Sequence, residues 1–166
     1  MGVGMSEEID RYARLRPPAA TADNDICRCA DNPPIVLQDH LSYNPISCLR
    51  CNLEVPPERV GFPEALAQGI AYWRELYRSF YSLWLDSREF EPWAKSQLEN
   101  PSSPANSRGL ALVAELNAFR RTYYWWFQDN STDDFTPLSR CPHCGAAFTE
   151  NGHVYRCEGC SIVVAN

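Results

Sequence analysis

The chain has 166 residues, 45% of them hydrophobic, and a formal net charge of −6. This composition supports the core of one modest domain or two small ones, and its acidity disfavours non-specific attraction to a phosphate backbone. No stretch approaches the roughly 18–20 apolar residues of a membrane span. The acidic N-terminal residues also lack the apolar segment of a secretory signal, so we expect no membrane association.

Prolines, apolar stripes and cysteine pairs divide the chain into five segments. We predict a flexible N-terminal tail over 1–25, a first four-cysteine zinc element over 26–61, a helical core with an aromatic strand over 62–127, an acidic linker over 128–136 and a C-terminal zinc ribbon over 137–166. The predicted fold class is therefore α+β, with a small helical core, two zinc-knuckle or zinc-ribbon elements and an antiparallel C-terminal ribbon.

Hydrophobic periodicity predicts the individual elements. In chain order they are a strand at 35–37, helices at 62–86, 88–99 and 107–121, and a strand at 122–127. We expect Ser107 to cap the third helix, and Trp93 and Leu98 of the second to face inward.

The C-terminal cysteines have the spacing of a zinc ribbon. Two residues separate Cys141 from Cys144 and two separate Cys157 from Cys160, with twelve residues between the pairs. The Asn-Gly sequence at 151–152 lies midway and is typical of a hairpin turn. A unit of about 30 residues has almost no core of its own, so metal–thiolate bonds must supply folding free energy. Four thiolates close the coordination tetrahedron, which predicts a structural Zn²⁺.

An earlier set of cysteines predicts a second structural Zn²⁺. Cys48 and Cys51 have ordinary knuckle spacing, whereas Cys27 and Cys29 are one residue apart and reach one tetrahedron only if the backbone is extended. In one alternative, His40 replaces one of the first two cysteines as a ligand. In others, Cys27 is a buried or reactive thiol, or a three-ligand zinc with an open position acts as a hydrolase. Eight paired cysteines without an export signal favour metal over disulfides, and hence a cytoplasmic location.

A possible interaction surface lies next to the C-terminal cysteines. If the aromatic run at 122–127 is a strand, one of its faces is buried and the other could be exposed, and arginines flank it. Exposed aromatic side chains stack on bases or fill protein pockets. The candidate partner-binding residues are Arg120, Arg121, Tyr124, Trp126, Arg140 and Arg156. The favoured interpretation of the run is nevertheless a core strand that joins the helices to the ribbon.

Several stretches together resemble an uncharacterised bacterial family described as zinc-ribbon-containing, with nucleic-acid binding suggested for its members. The matching sequences are IVLQDHLS at 35–42, CLRC at 48–51, VPPER at 55–59, SRGLAL at 107–112, TYYWWF at 122–127 and CPHCG at 141–145. The similarity covers roughly 26–166. It implies that the cysteines named above are zinc ligands, and it implies no catalytic residue.

Three functional hypotheses follow. The leading one is a non-catalytic zinc protein that binds a macromolecule, with a protein partner favoured because the chain is acidic and rich in aromatic residues; an inhibitor or immunity-type protein that covers a basic partner is one version. The alternative is nucleic-acid binding through the ribbon and its arginines. A weaker one is a zinc hydrolase at the first cluster. The sequence leaves the partner and the oligomeric state open.

Overall fold

One six-stranded mixed sheet organises the molecule. The computed structural model describes residues 9–40 and 42–166. The strands are β1 (Ile35–Leu37), β2 (Ile46–Cys48), β3 (Thr122–Trp125), β4 (Thr149–Asn151), β5 (Val154–Cys157) and β6 (Ile162–Ala165), and the helices are α1 (Glu64–Asp86), α2 (Glu91–Glu99) and α3 (Pro104–Leu116). The predicted mixture of helices and strands is confirmed.

Strand pairing joins the two cysteine-bearing parts of the chain. The strand order is β2-β1-β3-β6-β5-β4. β3 is central and parallel to both neighbours, with Val36 opposite Tyr123 and Tyr124 opposite Ile162. The outer pairs, β1–β2, β4–β5 and β5–β6, are antiparallel. The two parts therefore form opposite wings of one sheet, so neither has to bury its strands alone.

The helices cover one face of this sheet because α1 carries a continuous apolar stripe. Leu66, Ile70, Trp73 and Tyr77 recur every three or four residues and are all buried. Their side chains pack in one core cluster with Leu37, Tyr124 and Ile162 of the sheet and with Trp126, which follows β3. The opposite face holds a smaller cluster, which includes Val36, Tyr123 and Val163.

Three features of the predicted helices are wrong. α3 ends at Leu116 rather than at 121. α3 begins at Pro104 rather than 107, because Ser103 caps it by accepting a 3.2 Å hydrogen bond from the Asn106 amide and Pro104 suits the first turn. Trp93 is 50% exposed rather than inward, although Leu98 is buried as predicted. The ring of Trp93 packs edge-on against Phe80 at 5.6 Å, which covers only part of it.

The N-terminal segment contacts the core in its described part. Tyr12 and Leu15 are buried, and the Tyr12 hydroxyl donates a 2.8 Å hydrogen bond to the carbonyl oxygen of Phe62. Of the tail predicted over 1–25, residues 1–8 lie outside the described residues. The division into five segments stays a prediction.

A buried polar contact fixes α3 against the central strand. The Tyr124 hydroxyl donates to Asn106 Oδ1 at 2.9 Å, and Asn106 Nδ2 donates to the carbonyl oxygens of Leu98 and Asn100 at 2.8 and 2.9 Å. Gly109 lets the Tyr124 ring approach the helix this closely. A Cβ atom at position 109 would overlap that ring and lie 2.8 Å from Trp73 Nε1.

We therefore expect Gly109→Ala to destabilise the fold. Overpacking of this kind costs about 1–3 kcal/mol, and the melting temperature of a chain of this size falls by about 2–4 °C per kcal/mol. The matched control is Gly159→Ala, whose added Cβ would meet no atom within 4 Å. Thermal denaturation of both variants tests this expectation, and equal melting temperatures would contradict it.

Candidate metal centres

The first cysteine group is assembled from two distant stretches of chain. Cys48 is the last residue of β2, Cys51 follows in the adjoining turn, and Cys27 and Cys29 approach from the N-terminal side. The Sγ atoms of all four lie within 4.8 Å of one another. Cys27 and Cys48 are buried, whereas Cys29 and Cys51 are half-buried.

The chain enters the Cys27–Cys29 pair with an extended backbone at Ile26, where φ is −97° and ψ is 130°. Ile26 forms a bridge with Glu54, and the Cys27 amide donates to the Glu54 carbonyl oxygen at 2.7 Å. In an extended chain, residues i and i+2 present their side chains on the same side. The Sγ atoms of Cys27 and Cys29 both lie within 4.8 Å of those of Cys48 and Cys51, so this pair shares one centre with the second pair.

The remaining pairs share a knuckle conformation. The residue after the second cysteine is left-handed in each, with φ of 58° at Asn52, 75° at Gly145 and 53° at Ser161. The Asn52 amide donates to the Cys48 carbonyl oxygen at 2.9 Å, and the Gly145 amide donates to that of Cys141 at 2.8 Å. Asn and Gly adopt this conformation more readily than other residues, which explains two of the three sequence choices.

The second group lies on the opposite wing of the sheet. Cys157 ends β5, and the two turns carry Cys141, Cys144 and Cys160. The four Sγ atoms again lie within 4.8 Å of one another, with 3.7 Å between Cys144 and Cys157. Metal–sulfur bonds of about 2.3 Å in a tetrahedron give sulfur–sulfur edges of about 3.8 Å. This spacing fits a tetrahedral metal, and each group could hold one metal ion.

In both groups, burial, backbone amides and neighbouring thiols shift the pKa values of the cysteines. Burial raises the pKa of Cys27, but hydrogen bonds from the Cys29 amide and the neighbouring thiols bring it down to about 7. A hydrogen bond from the Ala146 amide, together with neighbouring thiols, lowers the pKa of Cys144 to about 7. Burial raises the pKa of Cys51 to about 12 and also raises that of Cys160. Like charges this close disfavour further ionisation, and a divalent cation reverses that penalty.

His40 belongs to neither cysteine group. Its Nε2 atom lies 3.1 Å from Ser47 Oγ, and burial lowers the pKa of its imidazole despite the neighbouring carboxylate of Asp39. Both groups gathered by the fold are composed of cysteine alone. The first site therefore has four thiol donors without His40.

The family models, curated proteins and solved structures with which the chain was compared gave no match. The resemblance to a zinc-ribbon-containing bacterial family stays a prediction.

Three of the six predicted partner-binding residues, Tyr124, Trp126 and Arg120, are buried. Tyr124 and Trp126 are 0% and 1% exposed, because this side of β3 faces the helices. The ring of Tyr124 packs edge-on against Trp73 and Trp126, with centroids 5.8 and 6.0 Å apart. The fold covers both rings, and partner binding by any of the six residues stays a prediction.

The other three predicted partner-binding arginines differ in whether a neighbouring carboxylate neutralises their charge. Arg121 Nη2 donates to Glu158 Oε2 at 2.8 Å, and Arg156 Nε lies 3.1 Å from Glu158 Oε1 in an ion pair without hydrogen-bond alignment. The two guanidinium groups flank the Tyr123 ring at 4.5 and 5.5 Å from its centroid. Arg140 is exposed and donates to the Gly145 carbonyl oxygen at 3.1 Å.

Arg59 supports the first group and was missed in the sequence. Its guanidinium donates from Nη1 to the Cys27 carbonyl oxygen and from Nη2 to that of Cys29, the latter at 2.7 Å. It thus holds the backbone of the Cys27–Cys29 pair from outside. Thirty residues separate it from that pair, and no local spacing rule connects them.

Among the described residues, no helix is long and apolar enough to cross a membrane.

Proposed function

We propose that the protein is a non-catalytic zinc protein, with two structural Zn²⁺ ions holding the two wings of its sheet, and that it binds a protein partner. The observation that carries the zinc assignment is the gathering of two complete four-cysteine groups with sulfur spacing suited to a tetrahedron. Tetrahedral thiolate sites favour zinc or iron, and zinc is the usual occupant of paired knuckles.

A structural role is favoured over hydrolysis because of the donor count. A catalytic zinc needs an open coordination position for water or substrate. Each group supplies four sulfur donors, and His40, the histidine considered as a replacement ligand, is hydrogen-bonded to Ser47 instead. Four thiolates around one zinc leave no position for chemistry.

A protein partner is favoured by charge and by an exposed apolar patch. The formal net charge is −6, and two zinc–tetrathiolate centres at −2 each would bring it to about −10. Leu85, Phe90 and Trp93, at the junction of α1 and α2, are at least half exposed; we call these three residues the junction patch. Glu89 and Glu91 lie between them in sequence. Apolar anchors among acidic groups suit a basic protein surface, as an inhibitor or immunity-type protein would require.

Nucleic-acid binding is the less favoured alternative. Its proposed stacking residues, Tyr124 and Trp126, are buried, and Glu158 partly neutralises Arg121 and Arg156. Titration of labelled single- and double-stranded DNA and RNA at 50 and 200 mM salt tests it. Tight, steeply salt-dependent binding would favour this alternative over a protein partner.

We expect Phe90→Asp to abolish capture of a protein partner in cross-linking experiments. It puts a charge in the junction patch at the N-cap of α2, a position where Asp is well tolerated. The matched control is Tyr72→Asp, which changes an exposed aromatic residue outside the junction patch. Tyr72 lies in α1, 13 residues or about 20 Å along the helix from Leu85. A basic partner that the parent and the control capture and Phe90→Asp does not would support the proposal. Equal capture by all three proteins would exclude the junction patch.

A further inference from the structure

Arg120 has a buried and incompletely paired guanidinium group. The residue is 9% exposed, and its Nε donates to the Pro33 carbonyl oxygen at 2.8 Å. Its Nη1 and Nη2 atoms are buried without a hydrogen-bond partner. Burying a charge is costly unless a counter-charge and hydrogen-bond acceptors accompany it. Within residues 9–40 and 42–166, no carboxylate lies at ion-pair distance from Arg120.

A second guanidinium increases this cost. Burial lowers the pKa of Arg120, and the positive charge of nearby Arg59 lowers it further, while Cys48, Cys27 and Cys29 act in the opposite direction. Arg59 is itself fixed by the carbonyl oxygens of Cys27 and Cys29. The first-group cysteines are the negative groups with the largest effects on Arg120, and Asp31 adds a coulombic interaction of the same sign.

The local charges match a metal centre of defined composition. Arg50 also interacts electrostatically with Cys29 and Cys48, but it forms a paired ion bridge with Asp31, with both N–O distances 2.8 Å. The charges of Arg50 and Asp31 cancel, so the two positive charges of Arg59 and Arg120 are left without a carboxylate at ion-pair distance among the described residues. A divalent metal bound by four thiolates carries two negative charges, so the two sets neutralise each other.

We propose that Arg59 and Arg120 are the built-in counter-ions of a dianionic metal–tetrathiolate centre at the first cysteine group, and that they set how tightly this centre holds its metal. The proposal rests on the zinc binding proposed above. The arginines act as positioning residues and are not ligands. The second group differs because its Cys144 is exposed, so water can compensate its charge. Removing groups that support metal ligands typically costs about 10–100-fold in metal affinity.

The test compares Arg120→Met and Arg59→Met with the parent, all as full-length protein purified with its metal. Each sample is mixed with a strong chelator and N-ethylmaleimide, and mass spectrometry of peptides follows alkylation of each cysteine over time. We expect the first-group cysteines of both variants to react about 10–100 times faster than in the parent, and the second group to react at the parent rate. The matched control is the double variant Arg50→Met, Asp31→Asn, which removes an exposed ion pair near the same group without changing the net local charge and is expected to change the rate little.

A second readout separates charge compensation from general loosening of the fold. In cobalt-substituted protein, loss of a neighbouring cation raises the energy of the sulfur lone pairs, so the sulfur-to-cobalt band should move to longer wavelength in Arg120→Met and return in Arg120→Lys. Unchanged first-group rates, or equal acceleration of both groups, would overturn the proposal. Arg59 is exposed, so Arg59→Met keeps the test decisive if Arg120→Met fails to fold. A parent without metal at the first group would overturn the zinc proposal as well, whereas failure confined to the arginine variants would leave it intact.

Discussion

Protein purified without added metal should contain two zinc ions per chain, and one in each of the variants Cys27→Ser and Cys141→Ser. Each substitution removes one sulfur donor from a different group, and a serine hydroxyl is a poor zinc ligand at neutral pH. Structural zinc contributes about 10–16 kcal/mol of binding free energy in small zinc-finger peptides, comparable to the whole stability of a typical domain at about 5–15 kcal/mol. Loss of one ion should therefore disorder the wing that it holds. Elemental analysis gives the metal content, and peptide-resolved hydrogen exchange identifies the disordered wing.

The controls for this experiment are histidine variants. His143→Ala changes a residue between two proposed ligands, and His40→Ala changes the residue considered as a replacement ligand; both should keep two zinc ions. Two ions retained in Cys27→Ser would show that the first site does not need this thiol. One ion in the parent, lost only in Cys141→Ser, would leave Cys27, Cys29 and His40 to be considered as reactive groups.

The sequence predicted the elements that depend on local pattern. The strand at 35–37 matches β1, and the stripe from Leu66 to Tyr77 identified α1, because periodicity reports which face of an element is buried. The helix predicted over 88–99 corresponds to α2, with Leu98 buried. The cysteine spacing identified the members of both groups that the fold gathers. Whether the C-terminal strands form a zinc ribbon stays a prediction.

Features that depend on distant contacts were missed. β2 contains only three residues and is formed through pairing with β1, so it has no period of its own to detect. Tyr124 and Trp126 could not be assigned to the helix-covered face, since strand alternation identifies two faces without saying which one is covered. The roles of Arg59 and Arg120 arise from tertiary approach to the first cysteine group.

The topology explains why two small metal elements suit a chain of this length. The antiparallel pair β1–β2 and the antiparallel set β4–β5–β6 would each expose an edge if folded alone. β3 pairs with β1 on one side and β6 on the other, so it closes both inner edges with one four-residue strand. The cysteine groups lie at the ends of β2 and β5, where a bound metal would add stability that such short strands cannot supply alone.

Metal affinity should fall steeply as the pH is lowered. Protons bind the metal-free thiols and are displaced by metal, so acid favours the metal-free form and affinity rises with pH. With four thiol ligands, metal affinity should fall by roughly three to four powers of ten for each unit that the pH drops below 7, because cysteine is normally protonated there. The slope should decrease above pH 7, because Cys27 and Cys144, each with a pKa of about 7, are then largely ionised before metal binds.

Competition titrations with a chelator of known proton affinity, at half-unit steps from pH 5.5 to 8, measure this slope for each group. Calorimetry in buffers of different ionisation enthalpy counts the protons released. Cys29→His is the control for the first group, because it replaces one thiol with an imidazole that is already mostly neutral at pH 7 and should reduce the slope there by about one. A parent slope below two at both groups would mean that at most two thiols lose protons when metal binds, and would contradict closed four-thiolate centres.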